Sequence, residues 1–269
     1  MQKALAQFLD STRRGSISAL SALRDTLLPP QCPVTGEQVL THGGLSPRAW
    51  QQVSFIAPPL CDLCGIPFEI SLSDALICGA CAATGKFDSA LISDKGLDRV
   101  RAAMRYDDVS ANLALSLKYA DRHDLVEGFA AMMSGVIAQL QTPETIVVPV
   151  PLHPRRLRRR RFNQAALLAK ALAHKADLPV CLDFLERHRS TPQQQGLSAK
   201  ARKRNVAGAF RIRDKYLPLQ GSQHFLLVDD VLTTGSTLKE CARVLKRAGA
   251  GQVNAVVLAR VVKDDVIAI

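Results

Sequence analysis

The sequence predicts an α/β fold: a parallel sheet flanked by helices, preceded by a small cysteine-rich module. Three observations predict it. The apolar runs Thr145–Pro151, Val180–Glu186, Phe225–Asp230 and Val253–Val261 are continuous rather than alternating, as in strands buried on both faces. Helix-period segments at 162–176 and 236–249 separate strands, as the crossovers of a parallel sheet require. Residues 30–85 are rich in Pro, Gly and Cys with few periodic runs, so that unit needs a staple rather than a core.

In chain order, residues 1–28 place Leu5, Phe8, Leu9, Ile17, Leu20, Leu23, Leu27 and Leu28 at helical spacing. That amphipathic helix ends before Pro29-Pro30. The cysteine-rich module takes residues 29–86. Strand-like runs at Phe87–Ile92 and Val100–Tyr106 flank an Asp94-Lys95-Gly96 turn. Helices are expected at 109–119 and 122–140, and the sheet domain as a whole spans 87–269.

Composition narrows the function classes. The chain has 269 residues, and 47% are hydrophobic, enough for a packed core. Lys and Arg number 35 against 24 Asp and Glu, a net charge of +11, which favours phosphorylated small molecules, nucleic acid or an acidic surface as partners. No stretch approaches the roughly 20 apolar residues of a membrane span. The N-terminus, broken by Lys3, Asp10, Arg13, Arg14 and Arg24, lacks the apolar core of a secretory signal. A cytoplasmic location is expected, where seven cysteines mean metal binding or packing rather than disulfides.

Cys61-x-x-Cys64 is followed after thirteen residues by Cys78-x-x-Cys81. Two such knuckles are the spacing of a zinc ribbon, and four thiolates leave no open position for catalysis, so the metal is structural. Cys181 at a strand start and Cys241 on an apolar helical stripe read as core. Cys32 stands alone.

The chemistry concentrates in Phe225–Leu238, FLLVDDVLTTGSTL. An apolar strand ends in Asp229-Asp230, facing the ligand crevice at the C-terminal edge of a parallel sheet. Adjacent carboxylates can accept hydrogen bonds from vicinal hydroxyls or help hold Mg²⁺. Thr233, Thr234, Gly235, Ser236 and Thr237 then offer hydroxyls and amides at a helix start, where the dipole favours a phosphate. Thr237 with Glu240 also fits a capping box. That explains a helix start but not the two preceding acids. No Walker A lysine is present.

DDVLTTGST after an apolar strand resembles the phosphoribosyl pyrophosphate (PRPP) signature of type I phosphoribosyltransferases. The resemblance implies that Asp229 and Asp230 bind the ribose hydroxyls and that residues 233–237 cradle the 5-phosphate, with Mg²⁺ accompanying PRPP. The whole chain is similar to the ComF/GntX family of competence-associated proteins, through Leu117-Lys118-Tyr119, Val148-Pro149-Val150-Pro151-Leu152, Arg161-Phe162-Asn163-Gln164, Gln195-x-Leu197 and Arg204-Asn205-Val206. Two departures stand out. Cys32-Pro33-Val34-Thr35 and Leu45-Ser46-Pro47-Arg48-Ala49-Trp50 occupy the place of a second cysteine set, so an upstream metal site is expected to be lost. Arg161 replaces a Gly common before Phe-Asn-Gln.

The run Arg155-Arg156-Leu157-Arg158-Arg159-Arg160-Arg161 precedes a helix start, where cations oppose the dipole. Helix stability does not call for them. They read either as a solvated face or as contacts to an anion, namely pyrophosphate at Arg155 and Arg156, or a nucleic-acid backbone. Residues 189–205 read as a polar, mobile loop whose Lys200 and Arg204, by the resemblance, close over the leaving group. The implied activity is phosphoribosyl transfer from PRPP or a related ribose phosphate, present or former. The alternative is a DNA-uptake accessory that binds single-stranded DNA or competence proteins, with the PRPP site regulatory. Low aromatic content, 5% with one Trp, weakens a base-stacking platform.

Overall fold

The computed structural model of the protein describes residues 26, 29–69, 76–83, 91–93, 96–119, 123–189, 199–218 and 222–262. The helix expected over 1–28 and most of the run Phe87–Ile92 lie outside them, as do Asp94 and Lys95.

Two short helices, α1 (Pro47–Gln52) and α2 (Gly79–Ala82), belong to the cysteine-rich module. Then follow β1 (Arg99–Arg105), α3 (Asp108–Tyr119), a 3₁₀ turn at His123–Leu125, α4 (Val126–Ser134), β2 (Ile146–Pro149), α5 (Pro154–Arg160) and α6 (Gln164–Ala176). The chain continues through β3 (Leu185–Arg187), α7 (Ala199–Val206), β4 (Phe210–Ile212), β5 (His224–Leu232), α8 (Ser236–Arg247) and β6 (Gln252–Arg260). The main sheet is parallel throughout, in the order β1-β6-β5-β2. β3 and β4 pair antiparallel as a separate ribbon.

The alternation of side chains along β5 and β6 sends one set to each face. Leu226, Val228, Val256 and Leu258 pack with Leu113 and Leu117 of α3, Phe129 and Met133 of α4, and Leu168 and Leu172 of α6. Phe225, Leu227, Ala255 and Val257 face the other way, toward Leu238, Cys241 and Leu245 of α8 and toward the cysteine-rich module. Burying each such Leu or Phe is worth about 1.5–3 kcal/mol, so the continuous runs that identified the strands also supply the core.

Three expectations are corrected in detail. The run Val180–Glu186 does not join the main sheet as a strand. Val180 makes one parallel bridge to Val147, and then Asp183 pulls the chain away by ion-pairing with Lys215 at 2.7 Å and accepting from the Tyr216 hydroxyl. The helix expected over 122–140 stops at Ser134, where Gly135 takes the C-cap. Part of the expected loop 189–205 is helical, because Ala199–Val206 is built of strong helix formers.

The cysteine-rich module is held to β1 and β6 by its backbone. Val100 N–H donates to Leu63 O at 2.8 Å, Arg101 Nη2 to Asp62 O at 2.9 Å, and Arg260 Nη1 to Cys64 O. Three successive carbonyls of the knuckle are thus captured by the sheet. Gly65 is at φ 68°, and a Cβ there would meet Val100 O at 2.5 Å, so there is no room for a side chain.

Candidate functional site

Cys61, Cys64, Cys78 and Cys81 are buried and their sulfurs lie within 4.8 Å of one another. The first knuckle is shaped by Cys61 N–H to Ile66 O and Gly65 N–H to Cys61 O, both 2.8 Å. The second puts Cys78 at the N-cap of α2, its amide 3.4 Å from Cys61 Sγ. Cys64 and Cys78 sulfurs are 3.6 Å apart, close to the edge of about 3.8 Å in a tetrahedron with Zn–S near 2.3 Å. Hydrogen bonds from the neighbouring thiols, Cys64 first, pull Cys61 far below the usual thiol range, while those same contacts push Cys81 up. The donor set, closed and all-sulfur, fits a structural Zn²⁺.

The second centre lies at the C-terminal edge of the sheet. β5 carries Asp229 and Asp230 to its end, both half-buried. Asp229 Oδ1 accepts from Asp230 N–H at 2.9 Å, and Asp230 Oδ1 from Val231 N–H at 2.7 Å, which fixes both carboxylates against the backbone. Thr233 and Thr234 follow, exposed, and Gly235 turns the chain into α8 at φ 70°. A Cβ at Gly235 would run into Leu91 and come within 3.2 Å of Leu232 Cδ1, so this loop requires glycine for both conformation and space. Thr234 and Ser236 share a hydroxyl hydrogen bond of 2.9 Å.

The capping box that the spacing of Thr237 and Glu240 also fits does not form. Gly235 occupies the N-cap and brings no side chain to cap α8. Glu240 instead accepts from Gly208 N–H at 2.7 Å and pairs with Arg243. The start of α8 therefore presents backbone donors beside the hydrogen-bonded hydroxyls of Thr234 and Ser236, the arrangement an oxyanion uses.

β2 lies beside β5, with Pro149 opposite Val228 and Val150 N–H on Val228 O at 2.9 Å. The turn after β2 thus leaves the sheet next to Asp229. His153 caps α5 by accepting from Arg155 N–H at 3.2 Å, with Pro154 in the first turn. Arg155 is exposed and Arg156 half-buried. The helix closes at Arg161 in the left-handed conformation, φ 65°, a geometry that glycine adopts at lower cost. Asn163 then caps α6 and ties it to β2 through Nδ2 on Val150 O at 3.0 Å.

Arg187 of β3 carried no signal in the sequence. It is buried, with its guanidinium over the Phe210 ring at 5.3 Å. Burial and the charge of Arg156 pull it down to about 10, with Asp229 acting the other way. Partial burial and the charges of Arg155, Arg187, Arg156 and Arg158 lower His153. Arg156, Arg187 and His153 thus share one field with Asp229. Arg155 and Arg156 lie on α5, just beyond the end of β2, and Asp229 and Asp230 lie near the end of the adjoining β5. Lys200 and Arg204 sit on α7, which is linked to α8 through Gly208 and Glu240. Arg204 is exposed, and the Lys200 side chain lies outside the described residues.

Residues 23–82 match the double zinc ribbon domain, and residues 163–265 match the phosphoribosyl transferase domain. DNA utilization protein YhgH of Salmonella typhimurium is 35% identical over 228 residues, covering 76% of this chain and 97% of the relative. Competence protein F of Haemophilus influenzae is 40% identical over 124 residues, covering 45% of this chain and 52% of its own. Competence protein ComFC of Bacillus subtilis is 27% identical over 193 residues, covering 71% and 72%. With a four-cysteine ribbon ahead of a parallel sheet of phosphoribosyltransferase type, the chain belongs to the ComF/GntX family.

Proposed function

We propose that this chain binds Mg²⁺–PRPP at the end of β5 and transfers its phosphoribosyl group to a ring nitrogen. The observation that carries the reading is the pair Asp229-Asp230 followed, through a short hydroxyl-rich loop, by an α8 N-terminus whose N-cap is Gly235 at positive φ. The acids accept from the ribose hydroxyls, and the amides and hydroxyls of residues 233–237 hold the 5-phosphate. Arg155, Arg156 and Arg187 bring positive charge to the pyrophosphate end, and Lys200 and Arg204 approach on α7. Asp229 and Asp230 are hard oxygen donors of the kind Mg²⁺ takes; when bound, the ion adds positive charge to the diphosphate. No covalent protein nucleophile is required. The chain's residues position the anomeric carbon and stabilise charge on the leaving group. In this reading residues 29–86 form the zinc module and 87–269 the transferase-like domain of a cytoplasmic protein.

The test is pyrophosphate release from PRPP across a panel of nucleobases, beside a control without acceptor. Acceptor-dependent release is expected; release with none of the bases contradicts transfer.

The second reading is a DNA-uptake accessory, with the ribose-phosphate site regulatory. It is favoured by the exposed cations Arg155, Arg158 and Arg204 on two helices and by relatives named for DNA utilization and competence. It requires single-stranded DNA binding that weakens steeply with salt and weakens again when Arg158 to Arg161 are neutralised.

A further inference from the structure

The zinc knuckle has a twin in the chain, and the twin keeps only one of its two thiols, Cys32. Cys61 N–H bonds Ile66 O, Gly65 N–H bonds Cys61 O, and Phe68 N–H bonds Pro59 O, each at 2.8 Å. Twenty-nine residues earlier in every case (32 to 61, 36 to 65, 39 to 68), Cys32 N–H bonds Glu37 O at 2.7 Å, Gly36 N–H bonds Cys32 O at 2.9 Å and Val39 N–H bonds Pro30 O at 3.0 Å. The isolated antiparallel bridge Leu60–Pro67 repeats as Gln31–Gln38. Gly36 and Gly65 share the left-handed conformation, φ 73° and 68°.

The second half repeats too. Ser46 caps α1 at φ −67°, ψ 159°, and Cys78 caps α2 at φ −69°, ψ 154°. Each cap carbonyl accepts from the residue four positions on, Trp50 at 2.8 Å and Ala82 at 2.9 Å. The four ligand positions Cys61, Cys64, Cys78 and Cys81 therefore correspond to Cys32, Thr35, Ser46 and Ala49. All but Thr35 are buried, and Ala49 completely so.

Hydrogen bonds stand where the metal would be. Thr35 Oγ1 and Ser46 Oγ are 2.9 Å apart, at the place of the 3.6 Å Cys64–Cys78 sulfur contact. Ser46 Oγ accepts from Ala49 N–H at 3.2 Å, and Glu37 accepts from Thr35 Oγ1 at 3.0 Å. Burial raises the Cys32 thiol, but the amide of Ser46 and the hydroxyl and amide of Thr35 outweigh it and bring it to about 7. One thiol, two neutral hydroxyls and a methyl group are not a Zn²⁺ donor set.

We infer that the module is a tandem of one knuckle–turn–helix unit, that the first copy folds on hydrogen bonds in place of metal, and that each chain carries one Zn²⁺. The two copies hold different surfaces. The first packs on α4, where a Cβ at Gly128 would strike the Gly43 carbonyl. The second is held to β1 and β6 by Val100, Arg101 and Arg260. Removing zinc releases the second grip and leaves the first.

The experiment has three arms on the full chain. Elemental analysis of the purified protein is expected to give one zinc per chain; two would overturn the inference. Hydrogen exchange before and after chelation is expected to expose the amides of Cys61, Gly65 and Phe68 by at least about tenfold, while those of Cys32, Gly36 and Val39 keep their protection. Equal exposure of both sets refutes a metal-independent first copy. The triple variant Thr35→Cys, Ser46→Cys, Ala49→Cys, checked for cooperative melting, is expected to bind two metals and to double the thiolate–Co²⁺ charge-transfer band on cobalt substitution. A folded variant that still binds one metal contradicts the correspondence of positions. If the variant does not fold, the first two arms decide.

Discussion

Single residues show how conformation was constrained by neighbours the sequence does not announce. Arg161 ends α5 at φ 65°, where a side chain costs about 1–2 kcal/mol and glycine costs less. Arg161→Gly is expected to stabilise the protein by about 0.5–1 kcal/mol, a rise of about 1–4 °C in Tm. An unchanged or lowered Tm would show that the Arg161 side chain contributes more than its conformation costs. The same logic was legible at Gly235, inside a motif whose spacing already required a tight turn. It was not legible at Arg187, because a lone arginine in a short polar strand has no local pattern. Its place beside Asp229 comes from the β3–β4 ribbon folding back.

Elements were legible where the core dictated them. The runs that became β2, β5 and β6 are apolar on both faces, and both faces are covered. Val180–Glu186 was misread because its apolar residues suggest a strand while Asp183 has partners in Lys215 and Tyr216, more than thirty residues away. Glu240 shows the same thing: the capping-box spacing is local, but its carboxylate joins α8 to the turn after α7 through Gly208. Burial raises the Glu240 pKa, yet Arg243 and the Gly208 amide outweigh it and the net shift is downward. A depressed carboxylate pKa adds stability that is present at neutral pH and is lost as pH falls through the acidic range. Between about pH 5 and 3 the wild-type Tm is therefore expected to fall more steeply than that of Glu240→Gln. Parallel profiles in a calorimetric pH series would remove Glu240 from the link between the two helices.

At the scale of the molecule, a cysteine-rich module and a parallel sheet share one apolar cluster. Both centres were legible because each is local: four cysteines within 21 positions, and two acids beside a hydroxyl loop. What joins them was not, since Arg101 and Arg260 reach knuckle carbonyls 39 and 196 residues away. Among the described residues no helix is long and apolar enough to cross a membrane, and the net charge of +11 favours anionic ligands. The most direct test of the central claim is calorimetric titration of Mg²⁺–PRPP into the full chain and into Asp229→Asn/Asp230→Asn, with melting curves to show that both are folded. Saturable one-to-one binding is predicted for the wild type, weakened at least about tenfold, or about 1.4 kcal/mol, in the double variant. No binding by the wild type, or equal affinity in the two proteins, would contradict a ribose-phosphate site at the end of β5.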